Sequence, residues 1–166
     1  MKKLSLLLCC ILLVQMLCSC AAKKEDFVEP VNFYYGNSSI AYNSPTGVIQ
    51  AEVREGSSFQ GNLLVFLGAY LQGPESSGLK QLIPANVYIV SCRQENEKVI
   101  LVLNSQFSDL SGMELTTACS ALLKTIHDYT EAEILQISAQ DAQLDDKNEI
   151  ILSVHDIIYI DSAEQS

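Results

Sequence analysis

The sequence predicts an α+β domain: two helices packed on one face of a mostly antiparallel sheet, with an extra strand or hairpin at its C-terminal end. Three observations predict it. Two segments carry apolar residues at helical spacing behind capping sequences, and short β-prone runs lie between clusters of Gly, Pro, Asn and Ser. These elements follow one another as β-β-α-β-β-α-β, then β.

Val31 to Tyr35 reads as the first strand, ended by Gly36-Asn37-Ser38-Ser39, and Val48 to Val53 reads as the second, after the turn cluster Asn43 to Gly47. Ser57 with Gln60 has the form of a capping box. The helix expected behind it carries Leu63, Leu64, Leu67 and Leu71 on one face, and Gly73-Pro74 stops it near Gln72. Val87 to Cys92 and Val99 to Leu103 form the clearest hairpin, joined by the charged loop Arg93 to Lys98. Ser111-Gly112-Met113-Glu114 is a second capping box. Leu115, Ala118, Cys119, Leu122, Leu123 and Ile126 then give an amphipathic helix facing a core. Glu133 to Ser138 is a further strand, Asp145 to Asn148 a turn, and Glu149 to Ile160 gives one or two more strands.

The start of the chain reads as an address. Lys2 and Lys3 precede an apolar stretch from Leu4 to Leu17, shorter than the roughly 20 residues of a membrane-spanning helix and suited to a secretory signal. Leu17-Cys18-Ser19-Cys20 resembles the bacterial lipobox. That resemblance implies a signal peptide over residues 1–19, an acyl-carrying (palmitate-type) lipid attached to Cys20, and a protein held on the extracytoplasmic side of a bacterial membrane. Residues 20–30 read as a short charged tether, whose stretch from Ala21 to Pro30 spans at most about 35 Å.

Composition narrows the partners. The 166 residues carry a formal charge of −10. Loss of residues 1–19 removes two lysines and no acid, leaving −12. A chain this acidic, with no Trp, is not built to bind nucleic acid. Four of the six cysteines lie in the signal and lipobox, leaving Cys92 and Cys119, either as a disulfide or as two small core residues.

Several segments taken in order carry a family resemblance: Ala51 to Glu55 (AEVRE), Leu67 to Pro74 (LGAYLQGP), the Leu-x-x-x-Ile-Pro element at Leu79 to Pro84, Asn104 to Phe107 (NSQF), the second helix, and Ile134 to Ser138. Over residues 31–140 they resemble the GerMN domain, a module of bacterial sporulation and spore-germination proteins, with 141–166 as a C-terminal strand extension. Val102 or Leu103 stands where that family often has an Asp, and Ala139-Gln140-Asp141 where it tends to have a Gly. The resemblance implies a fold like the ring-building motifs of secretion and sporulation assemblies. It also implies an extracytoplasmic scaffold without catalysis, in sporulation, germination or cell-envelope assembly. The other function class open to such a chain is a lipoprotein that binds a small ligand or a cell-wall fragment.

Chemistry has few candidates. His127 falls at the end of the second helix and His155 on a strand, and no nucleophile elbow accompanies either. Asp141, Asp145, Asp146 and Glu149 lack the spacing of a calcium loop. No catalytic residue, cofactor or metal is expected. The candidate interface is the hairpin. With Arg93 opposite Lys98, Ile89, Ile100 and Val102 would share the face turned from the helices, to be covered by the C-terminal strands, a protein partner or a second copy.

Overall fold

A three-stranded and a four-stranded sheet share one core in the computed structural model, which describes residues 29–39 and 48–157. The expected signal, lipobox, most of the tether, the turn at 43–47 and the strand end at 158–160 lie outside the described residues. In the first sheet β1 (Pro30–Asn37) stands between β2 (Ile49–Glu55) and the two-residue β3 (Leu79–Lys80). The pairing β1–β2 is antiparallel from Pro30 opposite Glu55 to Gly36 opposite Ile49. The second sheet runs β4 (Ile89–Glu95), β5 (Lys98–Leu103), β6 (Ile134–Ala139) and β7 (Ile150–Ser153) in chain order. Its β5–β6 pair is parallel, because the crossover between them is the long helix; its other two pairs are antiparallel.

The α+β class holds, with the strands divided between two sheets. The helices are α1 (Leu63–Leu71) and α2 (Gly112–Thr130). Residues of both helices and of the inner faces of both sheets form one hydrophobic cluster. The periodic stripe of α2 is buried as expected, and Ser120, Ala121 and Thr125 are buried with it. The reason is β1. The Tyr34 amide, on the side of β1 that β3 does not reach, donates to the Thr125 hydroxyl at 3.0 Å. Thus α2 is inserted rather than laid on a surface.

Local starts differ from the capping-box reading. Ser57–Phe59 is a single 3-10 turn, and Gln60 and Gly61 then take left-handed backbone (φ +48° and +72°) that redirects the chain. The N-cap of α1 is Asn62, whose Oδ1 accepts from the amides of Leu64 and Val65 at 3.1 and 3.2 Å. Asn62→Ala is therefore expected to cost about 1 kcal/mol, and Ser57→Ala less than about 0.5 kcal/mol, read from urea unfolding midpoints. Ser111 does occupy the N-cap position of α2 but forms no side-chain cap bond; the Asp145 carboxylate accepts from Gly112 N instead, at 2.9 Å. Gly73 stops α1 as expected, at φ +93°.

The hairpin register also differs. Asn96, at φ +54°, closes a two-residue turn, so Glu95 rather than Arg93 stands opposite Lys98. A bulge between Ile89 and Ser91 then resets the far end. Ile89 pairs with Leu103 and packs against the core, while Val102 faces Ser91 and Ile100 faces Arg93.

Beneath the first sheet lies a buried polar knot. Glu52, almost fully buried, accepts from Arg54 Nε at 2.7 Å and from the amides of Glu75 and Ser76 at 3.0 and 2.7 Å. Arg54 lies over the Phe33 and Tyr35 rings and donates to the Gly73 carbonyl at 2.7 Å. The knot fastens the turn after α1 to β2. Burial alone would raise the Glu52 pKa; the two amides and Arg54 outweigh it and hold the carboxyl below its usual range.

Candidate interaction surfaces

The outer face of the second sheet carries two of the three expected interface residues. Strand alternation buries Val99, Leu101 and Leu103 and turns Ile100 and Val102 outward. Across the sheet, Ile100 lies beside Gln136 and then Ile151, and Val102 beside Ser138. A polar line crosses this face: Lys98 Nζ donates to Gln136 Oε1 at 3.2 Å, and Gln136 Nε2 to Glu149 Oε2 at 2.6 Å. The face is therefore mixed, with Ile100, Val102 and the 60% exposed Ile151 as its apolar points. Ile89 is not with them; the bulge puts it opposite the buried Leu103, on the core side. Strand β7 extends the sheet at its edge beside β6 and does not lie over the face.

A second surface was not anticipated from the sequence. The inward side of α1 is Phe66, Leu67 and Tyr70, all buried. Leu64 and Val65 instead stand 54% and 50% exposed, and Tyr88, on the segment leading into β4, is 60% exposed. Leu64, Gly68, Leu71, Val87 and Tyr88 line one open hollow of about 510 Å³. The signal was present in the segment LLVFLGAYL, apolar on every side. A nine-residue helix at a domain surface cannot bury all of its faces, so part of that apolar surface must meet something else.

Both histidines and Asp128 make local contacts. His127 Nδ1 lies 3.1 Å from the Ala132 carbonyl, a contact that puts the ring proton on Nδ1 and closes the end of α2. His155 Nε2 lies 3.5 Å from Glu133 on an exposed surface. Asp128 accepts from the Tyr34 hydroxyl at 2.6 Å and from Asn32 at 3.1 Å. Among the described residues no group of three His, Cys, Asp or Glu is arranged to hold a metal. Cys92 and Cys119 are both free thiols. Burial pushes Cys92 up and Cys119 up to about 12, so neither is an activated nucleophile.

No family model matches the chain, and no curated protein sequence matches it. Solved structures do. A candidate lipoprotein from Clostridium perfringens aligns over 78% of this chain and 89% of its own, at 16% identity and TM-score 0.49. The first GerMN domain of the sporulation protein GerM from Bacillus subtilis aligns over 72% and 91%, at 8% identity and TM-score 0.49. The tandem GerMN domains of the same protein align over 78% of this chain at 11% identity and TM-score 0.53, with this chain spanning 48% of the pair. The shared property is the fold, and the fold of this chain is GerMN-like.

Proposed function

We propose, from the premise of a GerMN-like fold, that this protein is a noncatalytic interaction module. It is carried on a lipoprotein anchored through Cys20 to the extracytoplasmic side of a bacterial membrane and acts in sporulation, germination or another cell-envelope assembly. The observation that carries the reading is the outer face of the second sheet. Ile100 and Val102, with Ile151 beyond Gln136, form a flat surface of apolar points set among polar groups. Apolar points with polar groups around them fit the apolar core and polar rim of a protein–protein interface. The partner is a protein of the envelope assembly or a second copy of the chain. Five hollows on the described surface are open, at about 420–510 Å³; in the one lined by Glu52, Arg54 and Glu75, the Glu52 and Arg54 side chains are already bonded to each other and to the backbone of Gly73, Glu75 and Ser76.

Two substitutions test the reading. Cys20→Ala is expected to abolish labelling by radioactive palmitate and to leave the precursor uncut or release the protein from the membrane. Unchanged membrane retention at the normal mature mass would refute the anchor. Val102→Asp introduces a charge on the outer face between Ser91 and Ser138. Partner or homo-oligomer recovered from native membranes is expected to fall about tenfold or more, with the unfolding midpoint little changed. Undiminished recovery would remove this face from the reading.

A further inference from the structure

The apolar surface on α1 lies beside the point where the chain enters the domain. Glu29 is the first described residue, and its carbonyl accepts from the Gly56 amide at 2.7 Å. The approach is so close that a Cβ on Gly56 would stand 2.4 Å from that oxygen. Glu29, Gly56, Gly61 and Leu63 then line one hollow. The next shares Gly61 and Leu63 with it and adds Leu64. The third runs on from Leu64 to Tyr88. The path from the incoming chain to the exposed face of α1 is thus continuous over the surface.

Charge sets this side apart. The chain carries 20 acids, yet Ser57 to Pro74 contains no charged residue, and neither does Gln81 to Cys92. These two runs supply Leu64, Val65 and Tyr88. A tethered acidic domain meets repulsion from anionic headgroups on its acid-bearing sides. The side made by these two uncharged runs, bordered by Arg93 beside Leu64 and by Glu55 and Glu75 beside Ala69 and Gln72, is the one that can approach.

We propose that the exposed face of α1, with Tyr88 at its rim, docks on the lipid surface of the membrane to which the tether leads. This rests on the reading that Cys20 carries the anchor. From Cys20 to Glu29 the chain reaches at most about 35 Å, so this end of the domain is held close to the bilayer. Leu64 and Val65 enter the headgroup–acyl boundary, and Tyr88 keeps its hydroxyl in the wet layer and its ring in the apolar one. A lipid surface demands no shape match, and the anchor supplies the local concentration that a weak contact needs.

The test uses the full lipidated chain reconstituted in vesicles of three parts phosphatidylcholine to one part phosphatidylglycerol. The chain has no Trp, so Leu64→Trp and Ile151→Trp each give a single reporter at an exposed position. With spin-labelled lipid quenching at the headgroup–acyl boundary, Leu64→Trp is expected to be quenched several-fold more than Ile151→Trp. Adding Val65→Glu is expected to reverse much of that difference. Equal quenching of the two reporters at the lipidated mass overturns lipid docking and leaves the anchor standing. A blue shift of Leu64→Trp that grows with protein density, without lipid quenching, assigns the face to a second copy and also overturns it. A mass that lacks the lipid overturns the anchor and the docking together.

Discussion

Phe66→Ala is expected to destabilise the domain by about 3–5 kcal/mol, measured by urea unfolding followed by far-UV circular dichroism. Phe66 is fully buried and stacks on Phe33 at 4.6 Å and on Tyr129 at 3.8 Å, with Phe59 edge-on at 5.3 Å. Truncation leaves a cavity lined by rings held from three directions, which cannot collapse into it. It also removes three aromatic contacts, each worth roughly 0.5–1.5 kcal/mol beyond its area. Leu64→Ala, two residues earlier on the exposed side, is expected to cost less than about 1 kcal/mol. Equal losses for the two would contradict the inward and outward faces of α1.

Glu52→Gln is expected to cost about 2–4 kcal/mol at neutral pH, because it removes the buried counter-charge of Arg54 and leaves only the exposed Glu75 carboxylate, 3.6 Å from Nε. The pH dependence has a definite sign. The folded-state pKa of Glu52 is lowered, so its ionised form stabilises the fold above the unfolded-state value of 4.5. That contribution is lost as pH falls through the lower, folded-state pKa. The gap between wild type and Glu52→Gln should therefore be widest near neutrality and narrow below about pH 4.5. A gap that stays constant down to acid pH would mean that the carboxylate charge is not what holds the knot together.

Much of this architecture was legible in the sequence, and for identifiable reasons. The α2 stripe from Leu115 to Ile126 is long enough for its period to be unmistakable, and Gly73-Pro74 carries a stop that backbone geometry enforces. Strand identity followed from β-branched runs. What stayed hidden was pairing. Nothing in the alternation of β1 or β4 tells whether two hairpins join into one sheet or face each other across a helix. The hairpin turn was missed because Arg93 to Glu95 looks like a loop by charge, yet Asn96 takes the left-handed backbone that lets the strands continue to Glu95 and Lys98. The two-residue shift by itself keeps each side chain on its face; the one-residue bulge is what turns Ile89 to the core, while Ile100 and Val102 stay outside. The capping box at Ser57 failed because the pattern Ser-x-x-Gln is short and the left-handed pair Gln60-Gly61 overrides it, whereas Ser111 does stand at the N-cap of α2.

The insertion of α2 has a consequence for the order in which the chain can fold as it emerges N-terminus first. Every strand of the first sheet has emerged by Lys80, and the rings of Phe33, Phe59 and Phe66 by then are available to one another. The Tyr129 ring, and the Thr125 hydroxyl that satisfies the Tyr34 amide, come some fifty residues later. Until they arrive the emerging chain presents an unfinished aromatic surface and an open strand edge, the two features that invite misassociation or capture by a chaperone. The half-made domain is most vulnerable then, and completion of one helix ends both exposures at once.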